Sequence, residues 1–338
     1  MQDYSRLDRL LHRLVFDAPK LNELLFDLEQ ALFLKRGNSK RCSRPVYVVG
    51  LARAGTTSLM RALHDSGEFA SLTYDDMPFV MAPNLWQVLS RRNKKRRVSR
   101  ERGHGDHIEV DFDSPEALEE VFWRTFHGKE YIRDNSLVPH QFYEDSAEAL
   151  AAYQALVCKK YGKARYLAKN NNHLLRLPSL VKYCGDAIIL IPFRDPLVQA
   201  YSLWRQHRKF QNAPPFTQRY MEWLSHYEFG ATHRPYIFGA HSTVDLDPDV
   251  LDYWLERWID AYGFVIEFAR TAPPNVIAVC YEQLCGNQDY WVSICRLVEI
   301  PHDAPASFSA PPLATLPSAN RELVEKAQAI YQQLAAIS

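Results

Sequence analysis

The 338-residue sequence contains no CxxC pair and no cluster of cysteine with histidine, which removes the common zinc-ribbon and zinc-finger designs. Its six cysteines are too few and too scattered for a disulfide scaffold and read as reduced thiols. Long apolar runs are missing as well. A strongly apolar stretch such as residues 187–193 (AIILIPF) is far too short to span a bilayer. The first fifteen residues mix Arg6, Arg9 and Arg13 with Asp3 and Asp8, so the uninterrupted apolar core of a secretory signal is lacking. Net charge is absent too: 40 Lys and Arg offset 40 Asp and Glu, so bulk charge draws the chain to neither nucleic acid nor membrane. No internal repeat and no Gly- or Ser-rich linker divides it. The expectation is a cytoplasmic protein without a metal or a transmembrane segment.

What is present is an alternation of strands and helices. Leu7, Leu10, Leu11, Leu14 and Val15, then Leu21, Leu24, Leu25, Leu28 and Leu32 after Pro19, recur at helical spacing and predict two helices packed on a core or an interface. A polar break at 36–45 precedes Val46–Val49, a β-branched run typical of a buried strand. Further strands are expected near Phe69–Thr73, Arg165–Ala168, Ile188–Phe193 and Val276–Val279. Helices are expected at 56–66, 115–126, 145–161, 173–183, 196–208 and 249–271. This alternation predicts an α/β fold with a P-loop-like parallel sheet flanked by helices. Residues 1–45 form a helical N-terminal extension in this reading, and residues 46–338 form the α/β domain.

Gly50 and Gly55 stand at the two glycine positions of GxxxxGK[ST], a loop that wraps phosphate with backbone amides at a helix N-terminus. The lysine of that motif is missing, and Thr56 occupies its place. Arg53 supplies a cation inside the loop instead. The apolar strand at 188–193 then runs into Arg194-Asp195-Pro196 and a helix carrying Ser202. Ser202 lies eight residues beyond Arg194, about two helical turns on, so both can reach one phosphate. Both cations fall beyond the carboxyl ends of strands, where open α/β sheets bind ligands. Two separate grips suit a nucleotide with phosphates at both ends of its ribose.

The segment VYVVGLARAGTTSLMRAL resembles the 5′-phosphosulfate loop of the sulfotransferases that use 3′-phosphoadenylyl sulfate (PAPS), and IPFRDPLVQAYSLWRQH resembles their 3′-phosphate motif. VCYEQLCGNQDYWVSICRLVEIP is similar to their third landmark, a strand ending in Tyr-Glu. The Arg-type loop is similar to the Golgi and bacterial branches. The resemblance implies that Arg53, Ala54, Gly55, Thr56, Thr57 and Ser58 hold the phosphosulfate, Arg194 and Ser202 the 3′-phosphate, and that Tyr281 lines the nucleotide pocket. It implies PAPS as co-substrate and chemistry without a metal. Two departures stand out: Gln206 replaces an Arg that some relatives carry a turn after the serine, and no basic, glycine-rich C-terminal loop is legible.

Sulfuryl transfer needs a base for the nucleophile's proton. Relatives with this loop carry a carboxylate about twenty residues beyond it, which points to Asp76 and then Asp75; burial would have to raise its pKa toward neutrality. His104, between glycines, is the rival, with His107 behind it. Residues 91–102 hold eight Lys or Arg, a run that could steer an anionic acceptor and that seven acidic residues between 106 and 120 could offset. Lys169, Asn170 and Asn171 follow the third strand at the ligand edge, where the amides suit sugar hydroxyls or simply make an Asn-rich turn. The expected function is sulfuryl transfer from PAPS to a hydroxyl acceptor on a carbohydrate or glycoconjugate. Nucleic acid is not expected as a partner. The alternatives are a P-loop kinase, disfavoured by Thr56, and a nucleotide-binding protein of the same fold without turnover.

Overall fold

The computed structural model describes residues 6–34, 42–90, 100–101, 109–110, 117–239, 247–302, 306, 308–310 and 316–338. Two helices, α1 (Arg6–Phe16) and α2 (Pro19–Phe33), lead into β1 (Val46–Val48), α3 (Thr56–Asp65) and β2 (Phe69–Ala70). A 3-10 turn at Tyr74–Asp76 precedes α4 (Pro83–Ser90) and a two-stranded ribbon of β3 (Arg100–Glu101) and β4 (Glu109–Val110). Next come α5 (Glu120–Tyr131), α6 (Glu144–Tyr161) and β5 (Arg165–Lys169), then a 3-10 stretch at Asn171–Arg176 and α7 (Leu177–Tyr183). The chain continues through β6 (Ile188–Phe193), α8 (Pro196–Phe210), α9 (Pro215–Trp223), α10 (Leu251–Ala269) and β7 (Val276–Cys280). It closes with α11 (Tyr281–Gly286), α12 (Gln288–Val298) and α13 (Arg321–Ala336).

Five strands form one parallel sheet in the order β2-β5-β1-β6-β7, the α/β architecture expected from the sequence. Side chains alternate across it. Val46, Val48, Leu167, Ile188 and Leu190 point to one face, where Leu59, Met60 and Leu63 of α3 and Trp291, Ile294 and Val298 of α12 cover them. Tyr47, Tyr166, Ala168, Ile189, Ile191 and Phe193 point to the other face, into a larger core. Both faces are therefore dry, which is why β6 reads as an unbroken apolar run. From β1 the chain moves to one side of the sheet, and from β6 to the other, so the crevice at the carboxyl ends of these neighbours is the topological switch point.

The stripes of the first two helices face the core only in part. Leu10, Leu14, Leu24, Leu28 and Leu32 are exposed, whereas Val15, Phe16, Asn22, Phe26 and Glu29 are buried. Aromatic packing selects that face: the Phe26 ring sits 5.9 Å from Phe122 and 6.0 Å from Tyr153. Glu29 completes the seam by accepting the Asn84 and Leu85 amides at 2.7 and 3.0 Å, satisfying the first turn of α4. Helix α5 also starts five residues later than the sequence pattern predicts. The short helices α4 and α9, and α11 to α13, carry no pattern from which the sequence reading placed them.

Candidate active site

Strand β1 delivers the chain to the switch point, and two glycines let it turn there. A Cβ on Gly50 would meet the Pro192 carbonyl at 3.1 Å. Gly55 has φ +89°, and a Cβ there would fall on the ring of Tyr281. Between them Arg53 adopts φ +69°, a left-handed conformation unusual for a side chain of this size. Thr56 and Thr57 are buried in the first turn of α3, and no side chain caps the Gly55 end of that helix. The N-terminal end of α3 and its helix dipole are thus aimed at the crevice, an arrangement suited to an anion.

Strand β6 brings the second element against this loop. Arg53 Nε donates to Ser202 Oγ at 2.9 Å, and Arg194 Nη1 donates to the Arg53 carbonyl at 3.3 Å. Arg194 is 8% exposed, and its Nε is buried without a hydrogen-bond partner. No carboxylate lies within ion-pair distance of it among the described residues, and its guanidinium sits 5.7 Å from the Tyr281 ring centroid. Burial pulls Arg194 below the usual arginine range, against the pull of Tyr281, Glu282, Cys285 and Asp195. A buried cation left in this state is short of an anion.

Strand β7 supplies the third element, because its Cys280 pairs with Phe193 at the end of β6. Tyr281 closes over Gly55, in contact with Ser58, and its hydroxyl donates to the Ser309 carbonyl at 3.2 Å. Glu282 Oε1 accepts the Asp195 amide at 2.9 Å, and Asp195 caps α8 by accepting from the Val198 amide at 2.9 Å. Residues 308–310 therefore cross beside Tyr281, with Phe308 packed on Trp291. Gln199, fully buried, was not legible in the sequence. Its Nε2 donates to the Ala52 carbonyl at 3.0 Å while its Oε1 accepts from Trp258 at 3.0 Å, tying the loop to α10.

Lys169, the last residue of β5, lies in register with Val48 and is 7% exposed, at the same edge as the loop. Asn170 is occupied by the fold: its Nδ2 donates to Glu120 at 2.6 Å and its Oδ1 accepts the Asn172 amide at 3.0 Å. Glu120 also holds Arg176 through two bonds of 3.0 Å, and Glu119 holds His173 at 2.8 Å. These two carboxylates, the last of the seven acidic residues between 106 and 120, are buried against the turn that follows β5.

Asn171 Nδ2 donates to Glu228 Oε1 at 2.7 Å. Glu228 lines a small recess open to solvent. Leu51, Ala52 and Leu203 also line it, adjoining Arg53 and Ser202, together with His233, Tyr236, Trp254 and Arg257. Burial alone would push the Glu228 carboxyl up, but His226, the Asn171 amide and Lys169 hold it at about 2. Burial pushes His233 down to about 4. The recess thus presents an ionised carboxylate and a neutral imidazole at neutral pH.

Asp76 is fully buried and its carboxylate is engaged on both oxygens. Oδ1 pairs with Lys160, and Oδ2 accepts from the Thr73 amide and the Tyr161 hydroxyl, each at 2.8 Å. Thr73 and Asp76 together make a capping box around the turn. This is an anchor's bonding, with both oxygens committed to the fold. Asp75, beside it, is half-buried. His104 and His107 lie outside the described residues, as does most of the basic run at 91–102.

Residues 45–304 match the family model described as Sulfotransferase family. The chain belongs to the sulfotransferase family. Among solved structures, a sulfotransferase STF1 from Mycobacterium tuberculosis aligns over 98% of this chain and 87% of its own, with 13% identity and a TM-score of 0.52. A sulfotransferase STF9 from Mycobacterium avium aligns over 95% and 73%, with 14% identity and a TM-score of 0.47. At such identities the first of these speaks for the fold alone. No curated protein matches the sequence. The sulfotransferase carries no helix, among the described residues, long and apolar enough to cross a membrane.

Proposed function

We propose that this sulfotransferase uses PAPS as donor and sulfates a hydroxyl group on a carbohydrate or glycoconjugate. The observation that carries the donor assignment is Arg194, a buried guanidinium without a carboxylate beside the phosphate loop. Bound PAPS supplies the sulfuryl group. Arg194 and Ser202 would hold the 3′-phosphate, and the amides from Ala54 to Ser58 the 5′-phosphosulfate. Tyr281 would wall the nucleotide side. Arg53, oriented by Ser202, and Lys169 would offset negative charge growing on the leaving phosphate, the step at which fixed cations accelerate transfer.

The recess lined by Glu228, His233, Tyr236 and Trp254 adjoins Arg53 and is the acceptor site in this proposal. Its aromatic walls and ionised carboxylate suit a sugar, which offers an apolar face and donating hydroxyls. Asp75 is the preferred base, on the turn that Asp76 anchors, with His104 as the rival. Arg91–Arg102 would steer an anionic acceptor.

Calorimetry tests the donor assignment. Adenosine 3′,5′-bisphosphate should bind far more tightly than AMP, and Arg194→Ala should remove most of that preference, about 1.5–3 kcal/mol for a charge-assisted phosphate contact. Equal affinity of the native protein for AMP and the bisphosphate would overturn the PAPS reading.

A further inference from the structure

Cys42 and Cys158 lie 116 residues apart in the chain, yet their Sγ atoms are 2.6 Å apart. They are 7% and 6% exposed, and each sulfur has the other as its hydrogen-bond partner among the described residues. The other cysteines are engaged elsewhere. Cys184 touches Tyr47, Cys280 contacts Glu282 and Tyr331, Cys285 contacts Tyr281, and Cys295 is buried among the apolar residues of α12.

The two cysteines sit on elements that matter to the site without belonging to it. Cys42 is in the lead-in to β1, where the next residue, Ser43, donates its amide to the Ala164 carbonyl at 3.2 Å. Cys158 is in the last turn of α6, followed by Lys160 and Tyr161, the residues that hold Asp76. We propose that Cys42 and Cys158 are a site of intramolecular disulfide formation by a small disulfide oxidant, pinning the lead-in of the phosphate-loop strand to α6. All six cysteines are free thiols in the structure, as the sequence reading expects, and the proposal concerns what this pair does when an oxidant is supplied.

The chemistry is two successive exchanges with oxidised glutathione. A protein thiol loses its proton, and its thiolate attacks one glutathione sulfur, forming a mixed disulfide as the glutathione S–S bond breaks and one glutathione thiolate leaves. The second protein thiolate then attacks the protein sulfur of that mixed disulfide, forming the Cys42–Cys158 bond and releasing the second glutathione. Two protein thiols are oxidised and one glutathione disulfide is reduced to two thiols. The contact with Cys42 and burial hold the Cys158 thiol well above the usual range, so the native protein reacts slowly and needs hours of equilibration.

The test uses the full chain, reduced with dithiothreitol and then equilibrated with excess oxidised glutathione. Thiol titration in guanidinium should count six before oxidation, as the sequence holds, and two fewer afterwards. The mass should fall by about 2 Da with no glutathione retained. A non-reducing digest should join the Cys42 and Cys158 peptides, and Cys42→Ser and Cys158→Ser should each lack that species. The oxidised protein should melt at least about 5 °C above the reduced one, because the bond closes a long loop. Six thiols after oxidation, retained glutathione, or a cross-link between other cysteines would overturn the assignment. An unchanged melting temperature in the cross-linked protein would overturn the pinning. The wild-type thiol count and digest decide the matter even if a serine variant does not fold.

Discussion

Arg53 reaches Ser202 across 2.9 Å, so a residue of the first phosphate loop and a residue of the second share one hydrogen bond although 149 positions separate them. The bond fixes the guanidinium on the side of the loop that faces the helix after β6. Arg53→Ala should lower turnover by about a hundredfold or more while changing bisphosphate affinity less. Ser202→Ala should weaken bisphosphate binding and release Arg53 from its orientation, reducing turnover by a smaller factor. Steady-state kinetics beside calorimetry separates the two effects. Unchanged turnover in Arg53→Ala would return the loop to a structural role.

Gly55→Ala should be disproportionately harmful for one added methyl. The new Cβ collides with the Tyr281 ring at a positive φ, so strain of about 1–3 kcal/mol adds to the displacement of a pocket wall. Pairing it with Tyr281→Ala should relieve the collision but not the backbone strain, giving a partial rescue of stability in a double-mutant cycle. Full rescue would show that the left-handed backbone at Gly55 carries no penalty.

Asp76→Asn and Asp75→Asn should part company. The first leaves Lys160 buried beside a neutral amide, and loss of such a pair typically destabilises by about 3–5 kcal/mol. The second should leave the denaturation midpoint near native and lower transfer by about 10²–10⁴-fold if Asp75 takes the acceptor's proton. His104→Gln belongs in the same series. A stable but inactive Asp76→Asn variant would reverse the assignment of the two carboxylates.

Glu228 links acid stability to the recess it lines. Its carboxyl titrates at about 2 in the folded chain, below the 4.5 of a free glutamate, so the unfolded state binds the proton more readily. Its contribution, on the order of 3 kcal/mol, is present above the unfolded pKa and is lost as the pH falls through about 2. Glu119 and Asp17 are also lowered and act in the same direction. Urea unfolding of Glu228→Gln between pH 5 and 2 should show a shallower loss of stability than native protein. An identical slope would mean that Glu228 is not held ionised by its neighbours.

The parts of the site that lie on short-range patterns were legible in the sequence. Ile188–Phe193 announces itself because both faces of the sheet are dry, and Gly50, Arg53 and Gly55 declare a loop by spacing. Partners set by the tertiary fold were not. Nothing near Asp76 reveals that Lys160 and Tyr161 will close on it, and nothing around Gln199 reveals that it bridges Ala52 and Trp258. Glu228 is invisible for the same reason, since its meaning comes from Asn171 and the recess. The leucines of α1 and α2 revealed the helices but not the inward side, because apolar spacing identifies a helix, whereas aromatic partners such as Phe122 and Tyr153 decide which side turns inward.

The wall that Tyr281 makes against Gly55 has a consequence for the order of events during folding. The loop is written early in the chain, but one of its sides is a residue more than two hundred positions later. The completed crevice therefore arrives only when β7 has docked, and a chain folded as far as β6 and the turn after it would own both arginines yet lack the surface that Tyr281 supplies. Nucleotide capture during refolding should consequently lag behind the recovery of helical signal, and a saturating nucleotide should stabilise the C-terminal third as strongly as the loop it touches.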